Sequence, residues 1–348
     1  MDNSYPMTIY HYCCMQAFYS IFKGKKFWLS DVFKMNDYNE MVILLDDFEH
    51  IIAEEFRRAP FELTIRSQGT NRTTVLNTDK VINLIKELYG KWKYDFVKNE
   101  SIEYKMFIAC FSEKADILSQ WSMYADNAQG VSIGFNVASL INLTKENPNF
   151  QFIKVKYIDE KVKRNIQEKL ARKYLEFFIQ DFAKNLANTL DIPDKRKKEG
   201  LNIIYTHDDI FDIIGKGLYE RCFLDLLRES IRYKSKPFAP EVEWRLIYTP
   251  NSNYWNKEPE TKKEIEEYNL MQYRLAGNLL VKYISLPLEK IIKNPCMIFN
   301  GSGKGEGDMT QNRIVLGPRN QNGRYEMIDF LTTEGFSFVP TTSKITYR

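Results

Sequence analysis

Three groups of residues have the types and spacing to do chemistry. The first is Val242-Glu243-Trp244-Arg245-Leu246-Ile247-Tyr248. Period two sends Val242, Trp244, Leu246 and Tyr248 to one face of a strand, the core face. Glu243 and Arg245 share the other face, and Glu241 has the same polarity two residues earlier. A strand-borne carboxylate can serve as a general base or stabilise a developing cation. The competing reading is a Glu243–Arg245 ion pair on a sheet surface, the commoner fate of such residues. The second group is Trp121-Ser122-Met123-Tyr124-Ala125-Asp126, where aromatics, a hydroxyl and a carboxylate crowd one short segment. Ile117, Trp121 and Tyr124 recur at helical spacing, so part of this segment packs a helix on a sheet, while Ser122 points elsewhere. The third is His11, flanked by Tyr10 and Tyr12. Taken alone, it reads as a half-buried histidine bonded to backbone.

Other motifs fail on spacing. Gly301-Ser302-Gly303-Lys304-Gly305-Glu306-Gly307 has neither the Walker Lys-Ser/Thr nor the third glycine of GxGxxG, so it reads as a loop. No HExxH, GxSxG or kinase signature occurs, and Ser122 has no sequence-local base.

The elements that must position these groups follow from periodicity. Thr8–Tyr12 is a strand with Ile9 and His11 on one face and Tyr10 and Tyr12 on the other. Met15–Phe22 is a helix closed by Gly24, and Phe27–Leu29 a second strand. Asn36 or Asp37 caps a helix to about Arg58, with Met41, Leu44, Leu45, Phe48 and Ile52 on its apolar stripe. Ser67–Asp79 is a loop and Val81–Val97 a helix. Met106–Asn136 reads strand, turn, helix, turn, strand. Phe107–Phe111 is the first strand, Ser112 caps a helix over Ala115–Ala125, and Val131–Phe135 is the second strand. Phe152–Ile158 is a further strand. Glu160–Leu190 and Asp208–Tyr233 are mostly helical and are linked through Lys195-Arg196-Lys197-Lys198, a solvated loop. Strands return at Val242–Tyr248, Leu279–Leu286, Met297–Asn300 and Ile314–Leu316, followed by a helix over Tyr325–Thr333 and an extended tail over Phe336–Tyr347. This irregular order predicts an α+β fold of mixed, mostly antiparallel small sheets. The expected organisation is a single domain over 1–348, with a helical segment at 37–100 and a helical insertion at 159–235.

Composition narrows the classes. The 348 residues are 44% hydrophobic and 14% aromatic, enough for a sizeable core and for stacking surfaces. A net charge of +3 neither selects nor excludes nucleic acid as a partner. Five cysteines without a CxxC pair fit reduced thiols in a cytoplasmic protein, and three histidines argue against a His-rich metal centre. No basic stretch leads into an apolar core near residue 1, and no apolar run approaches the ~20 residues of a membrane helix. The expectation is therefore no secretory leader, no membrane partner and no metal.

In order along the chain stand Tyr10-His11-Tyr12; Phe27-Trp28-Leu29-Ser30 with Asn36-Asp37 and Glu40; Cys110-Phe111-Ser112-Glu113; Trp121-Ser122-x-Tyr124-Ala125-Asp126 with Gly130-Val131; Glu243-Trp244-Arg245-Leu246; Tyr273-Arg274 leading to Tyr283-Ile284; and Ile314-Val315-Leu316-Gly317-Pro318. These blocks, spread over nearly the whole chain, resemble the bacterial domain of unknown function family 2971. Cys13 departs from the pattern, standing where a hydroxyl residue commonly follows His-Tyr. More distantly, an early strand-borne His, a central Ser/Tyr/aromatic element and a late Glu-x-Glu, here Glu241-x-Glu243, are similar to the ADP-ribosyltransferase fold, whose three parts line one NAD-binding cleft.

That resemblance implies NAD as substrate, with transfer of ADP-ribose to a protein or nucleic-acid acceptor or hydrolysis of NAD, in a bacterial defence or toxin role. Glu243 would hold a ribose hydroxyl and stabilise the oxocarbenium-like centre, the problem glycosidases solve with carboxylates. His11, with Tyr12 beside it, would bind the other ribose. Tyr124 or Trp121 would stack on nicotinamide, Ser122 would support Glu243, and Arg245 would meet a phosphate or Glu243 itself. The alternative is a non-catalytic sensor or interaction module binding nucleotide or nucleic acid through Lys161, Lys163, Arg164 and Lys195–Lys198. A weaker third reading gathers Asp37, Asp126 and Glu243 around Mg²⁺ as a nuclease.

Overall fold

The computed structural model describes residues 5–34, 42–60, 62–66, 73–97, 106–177, 222–250, 271–276, 278–292 and 314–346. In chain order the elements are β1 (Thr8–Cys13), α1 (Met15–Gly24), β2 (Lys26–Asp31), α2 (Phe48–Arg58), β3 (Glu62–Arg66), β4 (Thr73–Asn77), α3 (Thr78–Val97), β5 (Phe107–Ser112), α4 (Leu118–Tyr124) and β6 (Val131–Asn136). There follow α5 (Val137–Glu146), β7 (Phe150–Lys154), β8 (Lys156–Ile158), α6 (Glu160–Phe177), α7 (Leu224–Ser230), β9 (Tyr233–Ser235), β10 (Glu243–Tyr248), β11 (Met271–Ala276), β12 (Leu279–Pro287), β13 (Ile314–Leu316), α8 (Arg324–Thr333) and β14 (Thr341–Thr342). The fold is mixed α+β with a mostly antiparallel sheet. No helix among the described residues is long and apolar enough to cross a membrane.

The chain divides into two compact units. The first comprises Met1–Asn36, Lys105–Lys156 and Pro237–Arg348. It holds a ten-stranded sheet with the path β11-β12-β2-β5-β1-β6-β13-β14, from which β10 and β7 branch at β5. Only the β13–β14 pairing is parallel among those described in this sheet. One face carries Ile9, Phe27, Leu29, Phe107, Phe111, Trp244, Leu246 and Ile284, packed with residues of α1, α5 and α8. The other carries Tyr10 and Tyr12 under α4. Burial of alternate residues thus fixes the strand registers, since a one-residue slip would turn the Phe-rich face to the wrong side.

β5 is the hinge of this sheet. β10 pairs along its whole length, from Glu243↔Ser112 to Tyr248↔Phe107. The opposite edge is shared: β2 takes the start, at Asp31↔Phe107 and Ser30↔Ile108, and β1 takes the end, at Tyr10↔Ser112. β1 and β2 therefore part company along Ala109–Phe111.

The second unit comprises Asp37–Tyr104 and Tyr157–Lys236. Phe48 packs on Tyr89 and Tyr174, and Tyr89 on Phe223, which gives this unit an aromatic centre of its own. Gln167 donates to the carbonyls of Leu44 and Asp46 and so satisfies buried backbone where the chain turns into α2.

Several local expectations shift. α2 starts at Phe48 rather than near Asn36, because Asp47 takes a left-handed conformation with φ 59° and breaks the helix there. β4 occupies Thr73–Asn77 inside the expected loop, pairing with β3 from Glu62↔Asn77 to Arg66↔Thr73. α1 ends on left-handed Lys25 (φ 51°), one residue beyond the expected Gly24. α4 is shorter than expected, with Ile117 at its N-cap, and Ser112 serves elsewhere. The predicted strand at Met297–Asn300, the loop Gly301–Gly307, the basic run Lys195–Lys198 and the residues Asn36, Asp37 and Glu40 lie outside the described residues.

Candidate active site

The acidic end is built by β5 and β10. Glu241 closes a 3₁₀ turn (Lys236–Glu241), and Val242 then takes a left-handed φ of 46° before β10 begins. This is an unfavourable conformation for a β-branched residue. It breaks simple alternation, so Glu241 and Glu243 are aimed separately. Ser112 ties the turn down: its Oγ donates to the Glu241 carbonyl at 2.6 Å and accepts from Lys114 N at 3.2 Å. The Glu113 amide donates to the Val242 carbonyl at 3.2 Å.

Glu243 and Arg245 do share a face, but not a surface. They are 5% and 1% exposed, and the guanidinium is bound two-pronged, Nε to Oε1 at 2.6 Å and Nη2 to Oε2 at 3.2 Å. The expected exposed ion pair is therefore a buried one, because β10 is covered on both sides. Its geometry holds Glu243 as a carboxylate. Glu241 is also buried, and the Tyr124 hydroxyl lies 3.4 Å from its Oε1.

The α4 residues separate by role. Trp121 is fully buried, donates from Nε1 to Asp116 Oδ1 at 2.6 Å and packs edge-on against Tyr12. It presents no face for nicotinamide, which corrects the stacking role expected of it. Tyr12 is structural in the same way: its hydroxyl donates to the Lys114 carbonyl and accepts from Ile117 N, and burial pushes its pKa upward. Ser122 is on the exposed side of α4, and half-buried Tyr124 is the aromatic that reaches the acidic pair. Three successive left-handed residues, Asp126, Asn127 and Ala128, end the helix, and Gly130 lets the chain pass against Cys13.

His11 stands where β1 and β2 part. Its Nδ1 is 2.9 Å from the Cys110 carbonyl. A carbonyl only accepts, so Nδ1 carries the proton and Nε2 is left as an acceptor. The ring packs edge-on against Phe27 and Phe111. Burial, reinforced by the positive charge of Arg274 and opposed by the Cys110 bond, lowers the His11 pKa and keeps it neutral near pH 7. Register puts Tyr10, Ser112 and Glu243 in one row across β1, β5 and β10, whereas His11 alternates to the Phe-lined side of β1. The structure thus joins Tyr124 to Glu241 and Arg245 to Glu243, and it seats His11 one strand away at the sheet's parting.

Two groups stood among the blocks of the resemblance without a site role to be read from the sequence. Ser112 looks like a helix cap, and only register places it opposite Glu243. Arg274 lies on β11, 244 residues from the Ser30 hydroxyl it meets at 3.0 Å. For the Mg²⁺ reading, Asp126 is exposed in the turn after α4, Glu243 is held by Arg245, and Asp37 is outside the described residues. Among the described residues no three His, Cys, Asp or Glu side chains gather as a metal site.

An α+β chain with a buried acid pair under a tyrosine defines only a class of protein. The likeness to a family comes from residues 120–246, which match the model of a family described as "Protein of unknown function (DUF2971)". The match contains Trp121–Asp126, Gly130-Val131 and Glu243–Leu246, and is narrower than the blocks running from Tyr10 to Pro318. No curated protein and no solved structure matches the chain.

Proposed function

We propose that the protein consumes NAD, breaking the bond between nicotinamide and ribose and passing ADP-ribose to a protein or nucleic-acid acceptor or to water, in a bacterial defence or toxin setting. The observation that carries this reading is strand adjacency. β5 and β10 are neighbours and α4 packs over β1, so Ser112, Tyr124 and the Glu241-x-Glu243 pair come together although 131 positions separate Ser112 from Glu243.

In this reading the glycosidic bond electrons leave with the nicotinamide nitrogen, and ribose C1′ becomes an oxocarbenium-like cation. Glu243, kept ionised by Arg245, opposes that charge. Glu241, with the Tyr124 hydroxyl beside it, takes the proton from the incoming acceptor or water.

The test is nicotinamide release from NAD by the pure protein, with and without protein and nucleic-acid acceptors. Release is expected from the wild type, and Glu243→Gln, which leaves Arg245 buried without its carboxylate, is expected to lose about 10²-fold or more at a temperature where its circular dichroism and denaturant curve show it still folded. No release with any acceptor, or a fully active Glu243→Gln, defeats the reading. Salt-dependent nucleic-acid binding that ignores Glu243→Gln supports the sensor alternative instead. Within that basic surface Lys163 pairs with Glu160 at 3.5 Å, and Arg164 with Glu54 at 2.7 Å and Glu168 at 3.1 Å, while Lys161 is exposed.

A further inference from the structure

On the same unit, away from the acid pair, sits a cation without a matching anion among the described residues. Register places Arg274, Tyr283, Ser30 and Trp28 on one face of β11, β12 and β2, through Arg274↔Val281, Tyr283↔Ser30 and Ser285↔Trp28. The Arg274 guanidinium lies over the Trp28 ring, 5.3 Å from its centroid, and donates from Nη2 to Ser30 Oγ at 3.0 Å. Its Nε is shielded from solvent and has no hydrogen-bond partner among the described residues. No Asp or Glu among the described residues lies within ion-pair distance of it, in contrast to Arg245. The groups that interact electrostatically with it are His11, Cys14 and Tyr283, none of them a carboxylate.

A buried N–H left unpaired is costly, and a half-desolvated guanidinium with no counter-ion among the described residues adds to that cost. Natural structures keep such a group where a ligand completes it. Trp28 fixes the plane of the guanidinium, Ser30 occupies one Nη, and Nε with the remaining Nη hydrogens forms the fork that receives two oxygens.

We propose that Arg274, oriented by Ser30 and Trp28, is a binding site for a phosphate group of a small phosphorylated molecule. Phosphate is favoured over carboxylate because Ser30 stands beside the fork, where its hydroxyl can donate to a third oxygen. The site is defined by its anion and stands whether or not the protein releases nicotinamide. Arg245, the arginine first expected to meet phosphate, is taken by Glu243.

The test is calorimetric titration of the full chain at constant ionic strength with pyrophosphate, ADP, ribose 5-phosphate and citrate. Saturable binding of at least one phosphorylated probe is expected, with citrate at least about tenfold weaker. Relative affinities of the three phosphorylated probes separate a diphosphate from a nucleotide or a sugar phosphate as the source. Arg274→Gln is expected to weaken binding by about tenfold or more, the loss of a charge-assisted fork, with Arg274→Lys in between. As a second readout, the His11 ring resonance should titrate at higher pH when the probe is bound, because an anion on Arg274 cancels the charge that now lowers the His11 pKa. Absence of saturable binding by folded wild type, equal binding by Arg274→Gln, citrate as tight as the phosphates, or an unmoved His11 titration each overturns the site.

Discussion

At the scale of single residues, the two arginines of the sheet show how the same side chain divides by environment. Arg245 finds Glu243 two positions away and is sealed with it. Removing one partner leaves the other charge buried, which costs about 3–5 kcal/mol. Arg245→Met is therefore expected to lower the stability of its unit by that amount in urea, and Glu243→Gln with Arg245→Met together to recover most of it. His11 makes a pH prediction. Its folded pKa lies below the ordinary 6.5 because burial penalises the imidazolium. Between those two values the unfolded chain holds the extra proton, so stability rises with pH through this window and is lost on acidification below about 6.5. Denaturant midpoints at pH 7.5 and pH 5.5 should differ less in His11→Gln than in the wild type. Trp121 and Glu243 were both legible as special from their neighbours. That one is a wedge and the other a buried, paired carboxylate was not, because burial depends on what covers a residue and not on its own type.

At the scale of elements, backbone approach decides the turn that delivers α4. A Cβ on Gly130 would lie 2.1 Å from the Cys13 carbonyl oxygen and 3.0 Å from that of Ala125, and one on Gly317 2.3 Å from that of Ala128. Both obstacles are main chain in a hydrogen-bonded corner, where Gly130 N donates to Ala125 O and Gly317 N to Gly130 O. Gly130→Ala is expected to cost about 2–4 kcal/mol, read as a shift of the urea midpoint, and to disturb Tyr124 before it disturbs Trp244. The strands β1, β5, β6, β10, β12 and β13 were readable as short runs rich in apolar and β-branched residues, alternating in β1, β6 and most of β10 and continuous in β5 and β13. α5 was missed, although Asn136 caps it by accepting the Ser139 amide. Its apolar run follows β6 without a break and reads as more strand. β4 was missed because Thr73–Asn77 is polar enough to pass for loop.

At the scale of the whole molecule, both units are discontinuous in sequence, the first assembled from three stretches and the second from two. Each encloses apolar residues of its own. Calorimetric unfolding is accordingly expected to give an enthalpy larger than the van't Hoff value, the mark of more than one cooperative step. Phe48→Ala, a cavity in the second unit costing about 3–5 kcal/mol, should lower one step and leave the other in place. What the amino-acid sequence determined by itself was the class of fold, most of the strands, and the family likeness carried by Trp121–Asp126 and Glu243–Leu246, because these rest on local periodicity and neighbouring residue types. Only the tertiary structure decided which strands adjoin, and with that the rest. It set Ser112 opposite Glu243, parted β1 from β2 at His11, and brought Arg274 to Ser30 with a shielded N–H, because strand order and register are long-range choices made by burial and leave no mark at any single position.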